Sequence, residues 1–198
     1  MKLTKEMLAF KPVNIGQWPD LQKLFGPNGA NGGCWCMWWR IKRSEFDRNH
    51  GEANRRAMEA IIRSGEVPGL LAYLEGEPIG WCSVAPREAF PVLDRSPVLK
   101  RVDDRPVWSI VCFYIAAGYR RSGLTHLLIE AAVDYARSRG AATVEAYPVD
   151  PGTSRVDPGE AFTGLIDTFR KAGFTEVARR SGRRAILRYE IGSAPPDR

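Results

Sequence analysis

The chain predicts an α/β fold, of the mixed α+β kind: a single domain built on a central mixed, twisted sheet with helices on both faces. Three observations predict it. Val107 to Ala116 is dense in β-branched and aromatic residues, as a buried strand is. A basic, glycine-containing turn follows at once, and then Leu124, Leu127, Leu128, Ala131, Ala132 and Tyr135 recur at helical spacing. A second strand-like run, Ala142 to Val149, a further helical stretch closing at Phe169 to Gly173, and two short strands complete the alternation.

In chain order, Leu8 to Val13 supplies a first strand, and Asn14 caps a helix with Trp18, Leu21, Leu24 and Phe25 as its apolar stripe. Gly26 to Gly33 is a glycine- and asparagine-rich loop. It lacks the lysine and hydroxyl residue of a P-loop and reads as a flexible turn. Glu52 to Ser64 reads as a helix with Ala57, Met58, Ile61 and Ile62 on its apolar side. Leu70 to Glu75 and Ile79 to Val84 form a hairpin through Gly76-Glu77-Pro78. Pro86 to Pro106 is long for a sheet connection, and such loops tend to be functional or disordered. Asp157-Pro158-Gly159-Glu160 carries the cap, proline and acid of a helix start; Phe162, Leu165, Ile166 and Phe169 fill one face of that helix, and Gly173 closes it. Glu176 to Arg180 pairs with Arg184 to Ile191. Residues 1–192 therefore make the domain, with shaping segments at 26–50 and 86–106, and 193–198 form a tail.

With 198 residues, 44% of them hydrophobic, the chain can bury a substantial core. A net charge of +6 and a pI near 9.3 suit an anionic ligand. Nucleic acid is the weaker reading, because the arginines are dispersed and no nucleic-acid motif appears. There is no apolar run of about 18 residues to span a membrane, and the N-terminus lacks the apolar core of a secretory signal, so a cytoplasmic protein is expected. Four cysteines make no disulfide scaffold. Cys34 and Cys36 stand too close together, with only His50 and His126 to help, to close a metal shell; no metal is expected.

The turn at 120–126 carries the chemistry. A strand running through a glycine turn into a helix aims free N–H groups and the positive end of the helix dipole at one point, which suits a phosphate. Arg120 and Arg121 add charge there. The sequence Arg120-Arg121-Ser122-Gly123-Leu124-Thr125 resembles the acyl-coenzyme A cradle of the GNAT superfamily of N-acetyltransferases, Arg/Gln-x-x-Gly-x-Gly/Ala, with threonine at the last small position. Phe169-Arg170-Lys171-Ala172-Gly173-Phe174 resembles that family's closing aromatic-x-Lys-x-Gly-Phe. The likeness runs from about Gly69 to Tyr189.

The resemblance implies a sheet splayed at a cofactor groove and transfer of an acetyl group from acetyl-CoA to an amine of a small molecule or peptide, by a monomer or homodimer. It also implies that Phe113, Tyr114 and Ile115 pair with the pantetheine arm. Arg121, Ser122, Gly123, Leu124, Thr125 and His126 would hold the pyrophosphate through main-chain N–H groups, with the side chains of Arg120 and Arg121 adding charge. The family's usual general acid, a tyrosine late in the final helix, falls on Phe169, which cannot donate a proton. Three routes stay open: Tyr147 serves as the acid, water protonates the thiolate, or the protein binds acyl-CoA without transferring it. Glu145 shares a strand face with Tyr147 and is the candidate base; the plain alternative is an ion pair or a solvated edge. His126 is a base by residue type, yet its place in the first helical turn favours a cofactor or packing role. Cys34 to Arg40 is unusually aromatic. Trp35, Trp38 and Trp39, with Trp81, wall the acceptor pocket, fill the core, or do both.

Overall fold

A computed structural model describes residues 2–152, 156 and 159–192. Among the described residues, seven strands form one sheet in the order β1-β2-β3-β4-β5-β7-β6. They are β1 (Leu8–Pro12), β2 (Gly69–Leu74), β3 (Glu77–Pro86), β4 (Trp108–Ile115), β5 (Thr143–Ala146), β6 (Thr175–Ser181) and β7 (Arg184–Glu190). All neighbours are antiparallel except β4 and β5, the pair joined by a helical crossover. The helices are α1 (Trp18–Phe25), α2 (Arg43–Arg48), α3 (Glu52–Arg63), α4 (Pro91–Arg95), α5 (Leu124–Ser138) and α6 (Ile166–Lys171). None is long and apolar enough to cross a membrane among the described residues.

Strand alternation sorts the core into two faces. On β2, Leu70 and Ala72 join the cluster that packs under α5 and α6, while Leu71 and Tyr73 join α1 and α3 on the other side. Gly80 on β3 lets α5 come close: a Cβ there would stand 2.8 Å from Leu124. Tyr147, Phe90, Leu93 and Leu99 belong to a third cluster, so the long connection 86–106 is anchored in the core and carries α4. Arg180 binds it from outside, donating to the carbonyls of Lys100 and Arg101.

The structure differs from the sequence reading at the closing helix. Ile166 to Lys171 alone are α-helical, preceded by a 3-10 turn at Ala161–Thr163. Gly164, at φ +81°, breaks the run between them, and Phe162 and Leu165 lie outside the helix. The expected start at Asp157 and the tail at 193–198 lie outside the described residues.

Candidate active site

Strands β4 and β5 pair only from Trp108 to Ile110 against Val144 to Ala146, so the rest of β4 runs on without a strand on that side. Ala116 donates its N–H to the carbonyl of Ile79 in β3. Alternation then turns the main chain of Tyr114 toward β3 and those of Phe113 and Ile115 into the opening. Of the three residues read as pairing with an extended arm, two thus face it. Arg120 Nε already donates to the Ile115 carbonyl at 3.3 Å, which leaves the N–H groups as the free edge.

The sheet register slips at the root of this opening. Ser83 faces Cys112 while Val84 faces Ile110, so Val111 is an extra residue on β4. Ile110 and Phe113 therefore point to the α5 face, with both Val111 and Cys112 turned to the other. The Val111 carbonyl accepts from Trp39 Nε1 at 3.1 Å, a buried contact that pins the bulge.

Below the opening, the turn enters α5 in a strained shape. Arg121 has φ +62°, rare for a residue with a Cβ, and Gly123 has φ +90°. Among the described residues no carbonyl or side chain accepts from the N–H groups of Arg121, Ser122, Gly123, Leu124 or Thr125. His126 differs: its N–H closes the first turn onto Gly123, and its ring sits 3.3 Å from Glu130. A Cβ built on Gly123 would meet nothing within 4 Å, so the space beside the turn at that residue is open. The turn is braced from behind, where Leu3 donates to the Ser122 carbonyl and Ser122 Oγ to that of Tyr119. Such a nest fits a pyrophosphate.

Glu145 and Tyr147 do share a face, inside a closed polar network. Both carboxylate oxygens of Glu145 are taken, one by Arg87 Nη1 and one by Arg188 Nε, each at 2.8 Å. Glu145 and Arg87 are each 1% exposed. The Tyr147 hydroxyl lies 2.6 Å from Arg87 Nη1, 2.6 Å from Glu145 and 2.8 Å from Ser109. Burial, then the adjacent Glu145, push its pKa well above the ordinary phenol value. Arg188 reaches on to Asp103 with both terminal nitrogens and holds that carboxyl well below the usual range. The ion-pair reading of Glu145 is the one its surroundings match: an amine would have to displace an arginine to reach it.

Comparison with known proteins gives the architecture its relatives. The model of the Acetyltransferase (GNAT) family matches residues 35–155, more than half of the chain. This protein belongs to the GNAT family. At the level of sequence no curated protein matches it. A GNAT-family acetyltransferase from Listeria monocytogenes superposes with a TM-score of 0.58 at 11% identity, covering 93% of this chain and 95% of that one. One from Streptococcus agalactiae gives 0.56 at 10% identity, over 94% and 96%. The PaiA N-acetyltransferase of Thermoplasma acidophilum, in complex with coenzyme A, gives 0.51 at 14%, over 93% and 99%.

In this GNAT chain the aromatic segment is mostly interior. Trp81 is 0% exposed, and Trp35 and Trp39 are buried among core residues. Trp38 alone is half-buried, with the Arg43 guanidinium 4.1 Å above its ring. Three of the four tryptophans read as a pocket wall are thus buried in the core clusters. Phe169 is also wholly buried, its ring 6.0 Å from Phe113 and 5.1 Å from Phe174. Arg87, Arg188 and Asp103 escaped the sequence reading, as did the bond from the Trp39 indole to Val111. They carry no local motif, and an inward-facing arginine on β7 at a period-two position was their one signal.

Proposed function

We propose that this GNAT protein is an N-acetyltransferase that passes the acetyl group of acetyl-CoA to an amine of a small molecule or peptide, both held together beside β4. The observation that carries the reading is the turn at 121–125, whose N–H groups find no acceptor among the described residues and which has open space beside Gly123. Acetyl-CoA would supply the activated thioester. The main chain of Arg121 to Thr125 would grip its pyrophosphate, with charge from Arg120 and Arg121. Phe113 and Ile115 N–H groups would align the arm and polarise the carbonyl, from a strand whose bulge Trp39 fixes. Holding both reactants in one groove supplies much of the acceleration. Tyr147 and Glu145 keep β5 in register against β7 and the 86–106 segment, and solvent protonates the leaving thiolate. Trp38 and the neighbouring loops shape the acceptor side. The reading carries with it a cytoplasmic location, as a monomer or homodimer, with no metal and no nucleic-acid partner.

A non-catalytic acyl-CoA-binding module is the second reading, favoured by the buried phenylalanine at 169 and the fully engaged Tyr147 hydroxyl. Free-thiol release from acetyl-CoA across a panel of amines separates the two. Turnover on one amine class supports the transferase; binding without release on any amine transfers the case to the module.

A further inference from the structure

We propose that Arg184 anchors the acceptor, and that the acceptor is a small amine carrying a carboxylate; the inference rests on the transferase reading above. Six arginines among the described residues are buried or half-buried: Arg40, Arg55, Arg87, Arg101, Arg184 and Arg188. Four of them meet a carboxylate, Arg55 at Glu52, Arg87 at Glu145, Arg101 at Glu88 and Arg188 at Asp103. Among the described residues Arg40 and Arg184 meet none within 4.0 Å. A guanidinium taken part-way out of water without a counter-charge is costly, and such costs are kept chiefly at functional sites.

Arg40 has another use. Its guanidinium lies 4.6 Å over the Phe90 ring, and Nη2 donates to the Pro68 carbonyl just before β2, two strands away from β4. Arg184 instead opens β7 at the mouth of the splay. Its Nη1 donates to the Tyr147 carbonyl at 3.1 Å, one residue past the end of β5, and to Thr163 Oγ1 at 2.6 Å. Nη2 and Nε find no acceptor among the described residues. Alternation along β7 puts Arg184 on the side of Ile186, whose cluster holds Trp39, Tyr147 and the partly buried Trp38, Cys112 and Phe162. Ala185 and Leu187 face α5. The 3-10 turn at 161–163 reaches back to β4: the Phe162 ring lies 6.3 Å from that of Trp39, and a Cβ on Gly164 would stand 3.2 Å from the Phe113 ring. Arg184 therefore ties the end of β5 to a turn lying against the part of β4 that β5 leaves unpaired.

The nearby carboxylates are already taken. Glu160 pairs with Arg183 and Asp150 with Arg179, each at 2.8 Å. Desolvation, set against only a through-space pull from Glu160, lowers the Arg184 pKa, the direction of a cation short of negative neighbours. The group stays charged all the same. With Nη1 spent on the protein, Nη2 and Nε are the edge left to a ligand, and a planar guanidinium suits the paired oxygens of a carboxylate. The pyrophosphate grip lies at the start of α5, on the opposite face of the sheet, so this charge is not part of it. Trp38 and Phe162 leave ring surface in the same cluster, which suits an apolar or aromatic body on the amine.

The test measures thiol release from acetyl-CoA on matched pairs of amines. Glycine, β-alanine, phenylalanine and glycylphenylalanine are each set against the primary amide, with phosphoethanolamine against ethanolamine as a phosphate arm. Turnover on an acid about tenfold or more above its amide is expected, and the acid that leads sets the spacing between amine and carboxylate. Arg184→Gln should raise KM for that acid about 10- to 100-fold, with kcat changed less than KM and acetyl-CoA affinity unchanged. Arg184→Lys, which keeps the charge and loses the fork, should fall between the two. Equal rates on acid and amide in the wild type, turnover confined to the phosphate arm, or a variant that loses acetyl-CoA binding instead of acceptor affinity would each overturn the proposal. The wild-type pairs decide it even where a variant folds badly. Should acetyl-CoA bind and no amine release thiol, the transferase reading falls separately. Calorimetry of the same acids into the acetyl-CoA-loaded protein then decides: binding that is lost in Arg184→Gln supports the anchor, and no binding of any acid overturns it.

Discussion

Replacing Glu145 by glutamine separates a structural carboxylate from a catalytic one. The substitution keeps the shape and removes the charge between two guanidinium groups, one on Arg87 and one on Arg188, whose side chains are 1% and 3% exposed. Breaking a buried pair by neutralising one partner costs about 3–5 kcal/mol, since the remaining charge is left in a poor solvent. Arg87 keeps Asp94 and Arg188 keeps Asp103, both at the rim, so the lower figure applies. For a chain of this size, about 3 kcal/mol lowers Tm by roughly 6–12 °C, at 2–4 °C per kcal/mol. The assay is a thermal melt paired with thiol release well below the lowered Tm, where the variant is folded. A Tm drop of that size with turnover within a few-fold of wild type is the expected outcome. An unchanged Tm with activity reduced by about a hundred-fold or more, the range for loss of a general base, would refute the reasoning and restore Glu145 as the base.

Three further outcomes follow from the same network and from the bulge. Tyr147→Phe should cost about 1–3 kcal/mol by unpairing buried polar groups, read as a lowered Tm, while turnover stays within a few-fold; a hundred-fold fall in turnover with Tm intact would make Tyr147 the acid after all. Trp39→Phe leaves the Val111 carbonyl without its donor and should lower stability by about 1–3 kcal/mol, with turnover falling more than acetyl-CoA affinity. Melts and titration calorimetry on the same preparation check both halves. Arg188 holds the folded Asp103 below its ordinary pKa, so the stability this contributes is fully present above about pH 4 and is lost as pH falls further. Asp103→Asn should therefore lower Tm at neutral pH and flatten the acid limb of the pH–stability curve; parallel curves for the two proteins would contradict it.

Most of the architecture was written in local pattern. The strand from Trp108, the glycine at 123 and the apolar stripe of α5 are contiguous signals, and each stands where its spacing put it. The hairpin of β2 and β3 was equally plain, because strand alternation and turn chemistry act over a few residues. The closing helix was overextended because the Phe162, Leu165, Ile166 and Phe169 stripe is also what a 3-10 turn, a glycine break and a short helix present to one core. Residues of the candidate site divide the same way. The place of the turn at 120–125 between β4 and α5 was legible, since a glycine between an apolar strand and a helical stripe is a contiguous signal. The fate of Glu145 was not, because its partners come from residues 87 and 188, brought together only by the pairing of β5 with β7. The tryptophans show the same limit: residue type told that large rings cluster, and only packing told that Trp81 and Trp39 face inward.

Titration calorimetry of acetyl-CoA against wild type and Gly123→Glu tests the turn as a pyrophosphate cradle most directly. A Cβ at Gly123 has open space around it, so the new side chain should fold in place at about 1–2 kcal/mol of backbone strain, the left-handed cost for a residue with a Cβ. Its carboxylate would then stand where the phosphates belong. Binding at micromolar affinity or better by the wild type, and no measurable binding by a variant that still melts cooperatively, is the predicted result. Equal affinity in the two proteins, or no binding by the wild type, would contradict it.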